Sequence, residues 1–289
     1  MRTINKVQAL YGYQAMGKFL SVILLVSSIN AQELSFNPLK MNFEYGMNYY
    51  YYKEMILKDE SDSKETFMEL TSSPVLHTFT ADVRRYFNYR WNSEMLITLT
   101  LGNVNYNSMR TGSATGEDNF ILAIENTMNY CVNNNVCTNF GYGFRYLDND
   151  SNQSVTTTGS FGYERENYLH FLPIGLKFNK RVENPYIEWY QVRTKYYHFL
   201  DGRQISHFTR FGCESDLKNK QNSGYGIEAS IRLYDKNKKW FYGGQMQYWD
   251  IEASDNMPVK CFGSESYGSE PANTTFMAGL IVGYRYLQS

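Results

Sequence analysis

The chain has 289 residues, a formal net charge of -1, 43% hydrophobic residues and a mean hydropathy of -0.50. A balance this near neutrality lacks the basic surface that nucleic-acid binding requires. With six Pro and no mature run approaching ~18 apolar residues, it is not a bundle of membrane helices. The 26 Tyr and 18 Phe point elsewhere. Tyr suits the boundary between hydrocarbon and water, because its ring is apolar and its hydroxyl wants a partner.

Residues 1–31 read as a signal peptide. Met16, Gly17 and Lys18 supply a start and a positive charge, Phe19 to Val26 is apolar, and the segment ends in small residues before a cut after Ala31. Met16 is an alternative start, and a short buried helix is the competing reading. Residues 32–289 follow as a single domain.

From Phe43 onward, segments of alternating apolar residues are joined by gaps that are by turns long and short. The long gaps carry charge, Gly and Asn, and the short ones are a few residues of Asn, Lys, Asp or Pro. An outer-membrane barrel has this rhythm, with long extracellular loops, tight periplasmic turns and strands of about 9–11 residues that alternate between lipid and lumen. The first strand runs from Met41 to Lys53, with Phe43, Tyr45, Met47, Tyr49 and Tyr51 outward and Glu44, Gly46 and Asn48 inward. A charged loop spans Glu54 to Ser73. The second strand, Val75 to Tyr86, faces Phe79, Ala81 and Val83 outward and Asp82 and Arg84 inward. The third, Glu94 to Tyr106, sets Met95, Ile97, Leu99 and Leu101 against Glu94, Thr98 and Thr100. After a loop over Asn107 to Asn119, the fourth strand, Phe120 to Tyr130, carries Glu125 inward.

Asn133, Asn134 and Asn135 make a tight turn, since Asn tolerates left-handed backbone. The fifth strand alternates most cleanly, with Phe140, Tyr142, Phe144 and Tyr146 opposite Asn139, Gly141, Gly143 and Arg145. A third loop, Asp148 to Glu166, precedes the sixth strand, Asn167 to Phe178, where Lys177 points inward and Pro173 calls for a bulge. The seventh, Pro185 to His198, alternates poorly. Ile187 and Trp189 set its outward parity, on which Arg193 and Lys195 then fall, so its upper part is expected above the bilayer. A loop over Phe199 to Asn222 leads to the eighth strand, Ser223 to Tyr234, with Glu228 and Arg232 inward. The ninth is Lys239 to Ile251. A loop over Glu252 to Asn273 leads to the tenth, Thr274 to Tyr286, with Arg285 inward. The fold class is therefore all-β, a transmembrane antiparallel up-and-down barrel of about ten strands. A soluble β-sandwich also alternates, but needs no belt of Tyr at so many strand ends.

On this parity the lumen holds Glu44, Asp82, Arg84, Glu94, Glu125, Arg145, Lys177, Glu228, Arg232 and Arg285. Unpaired charge in a narrow, low-dielectric space is costly, so these groups are expected to pair across strands and seal the lumen. A small-solute channel lined by them is the alternative. Four Cys remain in a compartment that permits disulfides. Cys131 and Cys137 either bridge their hairpin or point to opposite faces. Cys213 and Cys261 lie in neighbouring outer loops that a bridge would tie together. The spacings match no zinc pattern. Of His77, His170, His198 and His207, none sits in a recognisable nucleophile motif. His198 and His207 near Asp201 at the outer rim leave a remote reading as an omptin-like hydrolase.

The stretches Tyr142 to Asp150, Gly162 to Phe178, Gln221 to Tyr234, Tyr248 to Ser254 and Glu270 to Tyr286 resemble a widespread family of Gram-negative outer-membrane β-barrel proteins, as does Tyr49 to Glu54. The more specific parts are Tyr163 to Glu166 and Gly224 to Gly226. The resemblance implies fold and location, and no activity or binding residue. Together these readings give a monomeric, non-catalytic protein of the cell outer membrane with a structural or surface-interaction role. No cofactor, metal or nucleic acid is expected. The expected partners are outer-membrane lipid and lipopolysaccharide, and the barrel-assembly machinery during insertion.

Overall fold

The computed structural model describes residues 39–57, 64–152, 154–236 and 239–287, so the signal-peptide segment lies outside the described residues. Its strands, in chain order, are β1 (Leu39–Leu57), β2 (Lys64–Ser72), β3 (Leu76–Tyr86), β4 (Trp91–Ser108), β5 (Gly112–Cys131), β6 (Val136–Asp150) and β7 (Glu164–Arg181). They continue with β8 (Ile187–Ser206), β9 (Leu217–Gln221), β10 (Gly224–Asp235), β11 (Trp240–Ile251), β12 (Met257–Cys261), β13 (Ser264–Gly268) and β14 (Ala272–Leu287). Ten of these close a barrel in which every neighbour is antiparallel, because β1 pairs with both β14 and β3 and leaves no free edge. The wall above them is raised by β2, laddered to β1 and β4, and by β9, laddered to β8. A separate hairpin, β12–β13, sits in the last long connection.

The long gaps are therefore shorter than the alternation suggests. Much of the charged segment after Lys53 is strand, since β1 continues to Leu57 and β2 begins at Lys64. Likewise β4 and β5 stay paired up to Ser108 and Gly112, and β8 runs on to Ser206. In these extensions apolar residues also run consecutively, as at Met55, Ile56 and Leu57 and at Phe67 and Met68, so period-two hydrophobicity does not report them. They form an extracellular collar above the membrane.

One device ends all four tight turns. Asn88 Oδ1 accepts from the backbone N–H groups of Arg90 and Trp91, and Asn133 Oδ1 from those of Asn135 and Val136. Asn184 Oδ1 does the same for Tyr186 and Ile187, and Asp235 Oδ1 for Lys239 and Trp240. A short side-chain oxygen here replaces the backbone acceptor that the reversing chain has lost.

The outer face carries an apolar belt. Phe43, Met47, Phe140, Ile174, Leu176, Ile227, Ile231 and Leu280 are all exposed. Aromatic pairs bracket it. Trp91–Tyr130 and Trp240–Tyr284 lie beside the tight turns, with ring centroids 4.8 and 5.1 Å apart, and Tyr146–Tyr168 and Tyr196–Tyr225 lie toward the collar. Water would penalise such a surface and hydrocarbon does not, so the barrel spans a bilayer with its aromatic girdles at the two interfaces.

The sixth and seventh predicted strands each differ in one detail. Arg193 and Lys195 in β8 are buried and face the lumen, while Tyr196 and His198 face out. The parity set by Trp189 misleads because Trp189 points inward, against Tyr234 and Phe241, and the ladder to β10 slips one residue just below it. In β7, Pro173 stays in register with Tyr197, and the irregularity comes at His170/Phe171, where β8 bulges at Leu200. The missing Pro N–H is instead felt on the other side, where the ladder to β6 skips Gly141 and Tyr142.

Candidate functional site

The lumen is filled in layers. At the periplasmic end Trp189 stacks on Tyr234 with centroids 3.8 Å apart, Phe241 packs beside them, and the Arg285 guanidinium lies 5.0 and 4.6 Å from the Trp189 and Tyr234 rings. Phe241 can lie flat only because its ladder partner on the adjacent β14, Gly283, has no side chain, and an added Cβ there would stand 2.0 Å from the ring.

Above this floor is a knot of charge. Glu94 on β4 accepts from Arg84 at 3.0 Å, Lys177 on β7 at 2.9 Å and Arg193 on β8 at 2.9 Å. Asp82 on β3 takes Arg84 at 2.5 Å and Asn42 at 3.0 Å, with Arg193 at 3.7 Å. Glu44 on β1 binds Arg232 on β10 through both carboxylate oxygens, at 2.8 and 2.9 Å. One level up, Lys195 joins Glu125 at 2.7 Å and Glu228 at 3.5 Å, and the Tyr197 hydroxyl bonds both carboxylates. In the cyclic order of the wall, β4 and β8 are four strands apart, and β5 and β8 are three. The Arg193–Glu94 and Lys195–Glu125 pairs therefore cross the lumen.

Nearer the mouth, Leu169, Phe171, Tyr197, Phe199, Trp249 and Ile251 cluster on one side. Tyr50, Tyr52, Met68, Leu70, Leu76, Val104 and Ile121 cluster on the other. At the top, Arg165 binds Glu54 at 2.6 Å, and Tyr52 donates to Glu54 and Glu270. Two cavities remain within this column, of about 20 and 70 Å³.

All ten predicted lumen charges face inward. Eight of them find an ion-pair partner. Arg145 and Arg285 do not, among the described residues, and each instead lies over aromatic rings. Arg193 and Lys195, which complete two of the three clusters, were hidden by the misread parity of β8. The strict alternation of Gln191, Arg193, Lys195 and Tyr197, all buried, is the signal that could have found them.

The outer rim differs from its prediction. His207 does not meet Asp201 or His198. It bonds Asp216 at 3.0 Å through Nδ1, and its Nε2 lies 3.5 Å from Glu166. Asp201 pairs with Lys220 at 3.5 Å, and His198 is exposed on the outer face. His198 sits within the β7–β8 ladder opposite Leu172, whereas His207 lies just past the end of β8 at Ser206, so distance along the strand separates them.

Half-buried Asp148 lies on the same collar. Burial, followed by the charges of Glu164, Asp150 and Glu166, pushes its carboxyl up to about 7. Burial lowers His207, but the Asp216 hydrogen bond and the nearby carboxylates outweigh it and leave it raised. An acid raised in the folded state costs stability as pH rises from its ordinary range to its folded value. Stability from a raised His is present below its ordinary value and lost as pH rises through the folded one. Both effects weaken the collar toward alkaline pH. Asp148→Asn is therefore expected to raise the midpoint of unfolding, with a gain that grows between the ordinary 3.8 and about 7 and is level above that. The gain stays within about 1 kcal/mol because solvent screens the group. Urea titrations at several pH values measure it, and a gain independent of pH would contradict the assignment.

Cys131 and Cys137 face each other across β5 and β6 and are bridged. Directly opposed residues share a face, so the alternative in which they point apart does not occur. Cys213 and Cys261 are also bridged, and this ties the connection after β8 to hairpin β12–β13.

No family model and no curated protein matches the chain. Among solved structures, the outer membrane protease OmpT from Escherichia coli is similar with a TM-score of 0.59 at 11% identity, over 88% of this chain and 99% of that one. The chain has the outer-membrane β-barrel fold. Weaker likeness extends to the translocator domain of autotransporter NalP from Neisseria meningitidis, with a TM-score of 0.37, 9% identity and coverage of 96% and 98%. The toluene transporter TodX from Pseudomonas putida gives 0.39 and 7%, over 88% and 90%.

Proposed function

We propose that the protein is a non-catalytic outer-membrane barrel with a closed lumen, and that its work is done by the collar and outer loops. The observation that carries this reading is the set of ion pairs that cross the lumen, above all Arg193–Glu94 at 2.9 Å with both side chains almost wholly buried. A path for solutes would have to part these pairs. Each parting leaves uncompensated charge in a low-dielectric space, at about 3–5 kcal/mol. The collar supports the second half of the reading. Its strands stand clear of the membrane, and a disulfide joins the outer connections, which keeps a recognition surface in one shape. On this reading the chain is made with a leader, handed to the barrel-assembly machinery and held as a monomer among lipid and lipopolysaccharide.

A narrow channel is the competing reading, favoured by the cavities in the column, which charged Arg145 lines. Liposomes bearing the refolded mature protein distinguish the two. The closed barrel predicts swelling in a pentose or small amino acid no faster than in protein-free liposomes. Swelling that scales with the amount of protein supports the channel instead.

A further inference from the structure

Inside the membrane-spanning lumen, cations outnumber carboxylates by two: Arg84, Arg145, Lys177, Arg193, Lys195, Arg232 and Arg285 against Glu44, Asp82, Glu94, Glu125 and Glu228. Arg285 lies at the periplasmic mouth over its two rings and is only partly buried. The other excess cation is Arg145, which is 5% exposed. It has no ion pair or hydrogen bond among the described residues, and its Nε is buried without a partner. Glu125, which lines one cavity together with Arg145, is already held by Lys195 and Tyr197. The guanidinium reaches toward Trp249 on β11, with its central carbon 5.7 Å from the ring centroid. Stacking satisfies one face of the guanidinium and none of its in-plane N–H groups.

The surroundings are built to receive something. Arg145, Tyr50 and Thr275 line both of these cavities. The Tyr50 hydroxyl is also buried without a partner, which adds a neutral donor beside the cation. A lone buried cation is expensive unless an opposite charge or bonded solvent compensates it. We propose that Arg145 and Tyr50 form a binding site for a small monovalent anion, between chloride and acetate in size, in the upper lumen. About 10–15 Å³ of such space holds one water. The cavities of about 20 and 70 Å³ thus have room for a halide or a short carboxylate. The site does not depend on whether the lumen conducts.

Trp249 makes the site readable. Sodium iodide is titrated into the refolded protein at constant ionic strength, balanced with sodium fluoride, while tryptophan emission is followed. A saturable quenching component is expected that is absent in Trp249→Phe. It should weaken about tenfold or more in Arg145→Gln, as loss of a charged hydrogen bond implies. Arg145→Lys should restore it in part. Crystals of the unaltered protein soaked in sodium bromide should show anomalous density against the Arg145 guanidinium, and this arm stands even where Arg145→Gln does not refold. Quenching that is linear in iodide and equal in the unaltered and Arg145→Gln proteins, or no bromide beside Arg145, means that water alone solvates the cation and overturns the proposal.

Discussion

Glu94→Ala is expected to destabilise the folded barrel by about 3–5 kcal/mol, the range for removing one member of a buried ion pair. Among the described residues, no other single carboxylate serves as many cations. Arg84, Lys177 and Arg193 all reach it within 3.0 Å. Without it they would be left with Asp82, which is already engaged by Arg84 and Asn42. Three cations around one carboxylate repel one another and draw in water, so the same variant should also leak small ions. Glu94→Gln keeps the shape and an acceptor and should fall between the two. Urea unfolding in lipid vesicles, followed by tryptophan emission, measures the loss. A Glu94→Ala barrel as stable as its parent would show that the knot is already solvated and does not seal the lumen.

Gly283→Ala is expected to cost about 1–3 kcal/mol, the range for forcing extra volume into a packed interior. The added Cβ would meet three atoms of the Phe241 ring, all within 2.5 Å. That ring cannot swing away, because Tyr234 and Trp189 hold it on the lumen side. Shrinking the obstacle should therefore restore the fit. Gly283→Ala combined with Phe241→Leu should lose less than the sum of the two separate losses, since the changes share one contact. Strict additivity in the unfolding midpoints would place the ring away from Gly283. Because the Arg193–Glu94 and Lys195–Glu125 pairs above the floor are untouched, the single Gly283→Ala variant should stay non-conducting while less stable, whereas Glu94→Ala both destabilises and leaks.

What the residue pattern could and could not reveal follows from which contacts are local. Strand parity follows from lipid on one side and polar groups on the other. It is therefore legible wherever those sides differ, as in Phe140, Tyr142, Phe144 and Tyr146 opposite Asn139 and Arg145. It fails on β8, where Trp189 is apolar because it joins an aromatic floor inside the lumen. It fails again in the collar, where apolar residues run consecutively, as at Met55, Ile56 and Leu57, and no steady period marks the strand. The need for pairing among Glu44, Asp82, Glu94 and Arg232 could be read from the cost of buried charge. The partners could not, because Glu94 and Arg193 are 99 residues apart and meet only through closure of the sheet. The Asn and Asp residues of the tight turns act within five residues, and they sit where the gap lengths expect them.

Single-channel recording in planar lipid bilayers tests most directly whether cross-lumen ion pairs close a membrane-spanning barrel. The refolded mature protein should insert and hold a flat baseline, with fluctuating current appearing only in Glu94→Ala. Regular unitary steps from the unaltered protein, at voltages that leave the bilayer intact, would contradict a closed lumen.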